Sequence, residues 1–137
     1  MNIFVEDLTL KKIEGILSEK LYNVKIIGDL PLSEDDFKYL ADKVRTFIRN
    51  DEKRELFNSY GTSVSTFLVF CAVYHYGGGA YWPYVEEYIG KLENIERGYI
   101  YNRFLRILEQ YGLPKFGKER EEGYKYITPI ICHAGIP

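Results

Sequence analysis

"TSVSTFLVFCAVYHY", residues 62–76, decides how this chain folds. Its apolar residues fall on nearly every side of a helical wheel, so no polar face is left for solvent. A helix of that kind is covered on most sides by other helices. The β-branched residues would also suit a buried strand, but the run is longer than the ~4–8 residues of a strand. The pattern therefore predicts a central helix over 62–76, ended by Gly77, Gly78 and Gly79.

Working outward, "GGGAYWPYVEEY" reads as a corner between two helices. Proline suits a first helical turn, so Trp82-Pro83 predicts a new helix from Pro83 to about Lys91, with Glu86 and Glu87 on a solvated face. Asn94 then caps a helix whose stripe is Ile100, Phe104, Ile107, Leu108 and Tyr111. Gly112 closes it, Leu113 folds back on Leu108, and Pro114 prevents continuation. "KFGKEREEGYKY" suggests a small hairpin near 115–127. Thr128 and Pro129 open a last short helix that ends at Gly135.

On the other side, Ser33 caps a helix with Asp36 in the acidic capping-box position. Leu32 is placed to staple onto Phe37, and Phe37, Leu40, Val44, Phe47 and Ile48 form one apolar stripe. A short helix is expected over 51–60. Residues 5–20 form an amphipathic helix, and Val24, Ile26 and Ile27 a short extended piece with no evident partner. The fold expected is mainly α: a single domain, 1–137, in a compact bundle of about six helices around 62–76.

Composition narrows function mainly by exclusion. The chain has 137 residues, 46% hydrophobic and 28% charged, enough for a real core. A net charge of −2 gives no global pull toward nucleic acid or anionic membrane. The longest apolar run, near Phe67 to Tyr76, is about half of the ~20 residues that span a bilayer. The N-terminus lacks the basic and apolar regions of a signal peptide, so a cytoplasmic location is expected. Thirteen tyrosines accompany a single tryptophan. Tyrosine suits half-wet interfaces, although a compositional bias toward Tyr, Lys, Ile and Glu would give the same count.

The glycine run lacks the Lys and hydroxyl of a phosphate loop and the spacing of a dinucleotide fingerprint, so no cofactor is expected. Cys71, His75, Cys132 and His133 could meet as a metal site only without any CxxC spacing, so no metal is expected either. Cys71 sits mid-helix among apolar residues, which raises a thiol pKa and makes it inert. Ser63 and Ser65 stand outside any nucleophile elbow, so no catalytic set emerges.

Two surfaces remain. Tyr74, Tyr76, Tyr81, Trp82, Tyr84 and Tyr88 crowd the corner. Tyr74, Trp82 and Tyr88 are expected to cover the protein's own core, leaving Tyr76, Tyr81 and Tyr84 to bind a partner. Lys43, Arg45 and Arg49, with Arg103 and Arg106, could instead track a phosphate backbone if the two groups converge, although acidic residues interleave with them.

Trp82-Pro83, the later "GLP" of Gly112 to Pro114 and the segment Tyr126 to Pro137 occur in an order that resembles a pattern in large bacterial proteins. It covers about residues 60–137 and lies in N-terminal helical regions of mostly uncharacterised proteins, which can occur among prokaryotic defence genes. The resemblance implies an N-terminal module whose chain continues past "GIP"; it attaches no activity. Firm docking of an apolar C-terminus would explain the same segment. The function expected is a non-catalytic interaction or regulatory module binding a protein or another domain of its own chain. A nucleic-acid-binding domain is the alternative, and a small enzyme with an unidentified site the third.

Overall fold

The computed structural model of the chain describes residues 3, 4, 7–50, 58–116 and 128–136. Six α-helices lie within them: α1 (Leu10–Leu21), α2 (Glu34–Asn50), α3 (Gly61–His75), α4 (Trp82–Ile89), α5 (Asn94–Gln110) and α6 (Thr128–His133). A 3-10 turn at Ile27–Asp29 separates α1 from α2. No strand occurs among the described residues. The hairpin expected near 115–127 and the helix expected over 51–60 lie largely outside them; of the latter, Asn58 and Ser59 are helical.

The central helix is where the sequence puts it. Every residue of α3 from Gly61 to Ala72 is buried, and the other five helices and the 3-10 turn all pack on it. Burial on all sides obliges its hydroxyls to find partners. Thr66 donates to the Thr62 carbonyl at 2.9 Å, and Thr62 shares a 2.8 Å hydrogen bond with the Tyr111 hydroxyl. Gly61 lets α5 approach: a Cβ there would come within 2.9 Å of Ile107 Cδ1.

The residue preceding α3 is Tyr60, whose side chain caps nothing. The free N–H groups of its first turn are instead met from α1. Glu14 Oε1 accepts from the Ser63 N–H and hydroxyl, both at 2.7 Å, and Oε2 from the Thr62 N–H at 3.2 Å. A carboxylate there satisfies orphan donors and complements the positive end of the helix dipole.

Local signals set the other helix ends. Asp36 donates its N–H to Ser33 Oγ (3.0 Å) and accepts the Ser33 N–H (3.1 Å), closing the expected capping box. Asp36 is buried, and also accepts from Ile3 and Phe4, so the start of α2 holds the N-terminal segment. α1 begins later than expected, because Thr9 accepts the Lys12 N–H and serves as its cap. α5 is capped one residue before Asn94, where Glu96 accepts the Glu93 N–H at 3.1 Å. It closes as expected: Leu113 donates to Leu108 (2.8 Å) and Gly112 to Glu109 (3.2 Å), a Schellman motif. α6 closes the same way, Ile136 donating to Ile131 and Gly135 to Cys132. Ile130 is fully buried beneath it, so the segment docks.

Candidate partner surface at the glycine corner

α3 ends at His75 and α4 begins at Trp82, so the corner is Tyr76 to Tyr81. Gly78 (φ 106°) and Gly79 (φ 77°) turn the chain through the left-handed region, which costs an L side chain strain. Gly77 through Ala80 are exposed, and a Cβ on any of the three glycines would meet nothing within 4 Å.

The three tyrosines expected at the surface part company here. Tyr81 is 2% exposed and donates to the Leu68 carbonyl at 2.5 Å. It therefore belongs to the core, and the expectation that it faces a partner is corrected. The glycines swing the chain back over α3, which places the first ring after them inward. Burial pushes its phenol well above the ordinary range. Tyr76 and Tyr84 are half-buried, with their rings edge-on at 6.2 Å, and Tyr76 rests on Tyr81 at 6.3 Å. The Tyr76 hydroxyl donates to the Gly79 carbonyl at 3.1 Å, tying the ring to its own turn.

Tyr74, Trp82 and Tyr88 cover the core as expected. Buried Phe37 anchors one cluster, with Tyr74, His75 and Tyr88 at 5.5, 5.7 and 5.4 Å. His75 Nε2 and the Tyr88 hydroxyl share a 2.5 Å hydrogen bond, and Tyr74 donates to the Leu32 carbonyl at 2.7 Å. Burial raises the Tyr88 phenol, and Glu87 and Glu34 add to the effect. The expected solvated pair Glu86 and Glu87 is half corrected. Glu87 is exposed, but Glu86 accepts from the Leu92 N–H (2.7 Å) and from Arg97 Nη2 (3.0 Å). Arg97 also lies over the Trp82 ring at 6.0 Å. Glu86 thus clamps α4 to α5 and steadies the far side of the corner.

The basic residues are differently placed. Lys43 pairs with Asp7 at 3.2 Å and Arg45 with Asp42 at 3.0 Å. The Arg49 side chain lies outside the described part of the structure. Arg103 is half-buried and Arg106 exposed on α5, where Lys115 depresses the Glu109 carboxyl and the Arg106 charge adds to the effect. α2 and α5 each pack on α3, so the two basic groups stand on separate helices with acids among them.

Burial pushes the Cys71 thiol well up, in line with its inert reading. His133 is buried with both ring nitrogens on backbone groups. Among the described residues no group of three or more His, Cys, Asp or Glu is placed to hold a metal. Among them, too, no helix is long and apolar enough to cross a membrane. No family model, no curated protein and no solved structure matches the chain.

Proposed function

We propose that the chain is a non-catalytic helical interaction or regulatory module of a larger bacterial assembly. Tyr76 and Tyr84 bind its partner, a second protein or a further domain of the same chain. One observation carries this reading. The two rings stand edge-on at 6.2 Å, Tyr76 resting on core-locked Tyr81 beside open glycines. Aromatic side chains held before a partner arrives lose little freedom on binding, which removes part of the cost of association. Tyrosine also offers a hydroxyl beside a large apolar face, the combination common in interface centres.

The test is co-expression with the products of neighbouring genes, comparing wild type with a Tyr76→Ser/Tyr84→Ser double variant of unchanged thermal stability. A stable wild-type complex that the variant weakens at least about tenfold, the size of a hot-spot loss, supports the reading. A complex that the variant leaves intact, or no complex at all, overturns it.

A further inference from the structure

His133 joins three parts of the chain. Its Nδ1 accepts the Ile27 N–H at 3.0 Å, from a residue 106 positions earlier, and its Nε2–H donates to the Pro114 carbonyl at 2.7 Å. Both partners are backbone groups, and their polarity fixes the ring as the neutral Nε2–H tautomer. The ring has no exposed surface, and Phe104 and Phe116 meet it edge-on at 6.0 and 5.1 Å. The main chains are equally close: a Cβ on Gly28 would lie 2.4 Å from the His133 carbonyl oxygen.

We infer that His133 is a proton-operated latch: neutral, it docks α6 on the Ile27–Asp29 turn and the end of α5; protonated, it frees α6 ahead of the remaining fold. A proton on Nδ1 would point a second donor at the Ile27 N–H, breaking that bond and leaving the new Nδ1–H without an acceptor in a buried site, while Nε2–H keeps the Pro114 carbonyl. Among the described residues no carboxylate pairs with the ring. The charged groups next to its partners are Asp29 in the turn, and Lys115 with Glu109, which pair with each other. Cys132 adjoins it on α6. Burial disfavours the charged form of the ring, and the Pro114 carbonyl opposes this in part.

α6 should leave first because it is short. A helix of six residues does not persist without its packing, and local opening costs less than unfolding α3 and its surroundings. The direction follows from linkage. A freed imidazole titrates near 6.5, and the docked one below that. Undocking then takes up a proton and becomes easier by about tenfold for each pH unit below 6.5, until the docked value is reached.

Amide hydrogen exchange by NMR tests this, with protection corrected for the intrinsic pH dependence of exchange, from about pH 7.5 to about pH 5. Below about pH 6.5, Ile27, Ala134, Gly135 and Ile136 should lose protection together, by up to about tenfold per unit, while Val69 and Phe70 in α3 keep theirs. His133→Gln should leave the first group independent of pH across the same interval. Loss of protection only in step with Val69 and Phe70, or none by the acid limit, overturns the latch. The wild-type comparison decides this even if the variant fails to fold.

Discussion

Glu14 of α1 and Ser63 of α3 are joined twice, through the Ser63 N–H and hydroxyl, both 2.7 Å from Glu14 Oε1. The cap of the most buried helix thus comes from 49 residues upstream. Glu14→Ala should cost about 1–2 kcal/mol, the loss of a helix cap, with Glu14→Gln in between. Urea unfolding measures it as a lower midpoint at constant slope; a loss below about 0.5 kcal/mol would place the capping energy elsewhere.

The glycine corner separates a stabilising tyrosine from a surface one. Tyr81→Phe removes the hydroxyl that donates to Leu68 and should cost about 1 kcal/mol. Tyr81→Ala, which empties a fully buried site, should cost about 3–5 kcal/mol. Tyr84→Ala, half-exposed, should stay within about 1 kcal/mol. Equal losses at the two positions would contradict the packing.

Glu86 makes stability depend on acid. The Leu92 N–H, assisted by Arg97, holds its carboxyl below the ordinary 4.5. The unfolded chain therefore binds the proton more readily, and stability is full above 4.5 and falls as pH drops toward the folded value. Glu86→Gln should be less stable at neutral pH and show a shallower decline on acidification. Thermal midpoints across the acid range, compared between the two proteins, measure the difference in slope.

Glycines of this chain sort by their surroundings. Gly28→Ala drives a Cβ to 2.4 Å from the His133 carbonyl oxygen and should cost about 1–3 kcal/mol. Gly15→Ala in α1 and Gly98→Ala in α5 meet nothing within 4 Å and should each gain about 0.5–1 kcal/mol. Calorimetry of the three variants gives the signs directly.

The helices and several of their ends were legible because their causes are local. The all-round apolar run of 62–76, the Ser33–Asp36 box and the Gly112-Leu113-Pro114 stop each act within a few residues. The corner was legible as a corner, but the inward turn of Tyr81 depends on where two glycines send the chain. Glu86 looked solvated because Arg97 lies eleven residues on, across a loop. His133 showed no sign of its two backbone partners. One signal was there to be used: neither Tyr60 nor Gly61 can cap α3 with its side chain, so a buried helix start needed a carboxylate from elsewhere, and Glu14 supplies it.

The turn at Gly78 and Gly79 is built in the mirror-image half of backbone space, with open room where a side chain would stand. Chirality at these positions therefore matters more than size. A D-alanine placed there by chemical synthesis would find its own preferred backbone angles, whereas its L counterpart would be strained. The handedness of two exposed residues sets the route by which Tyr81 returns to the core and by which Tyr76 and Tyr84 come to share one patch.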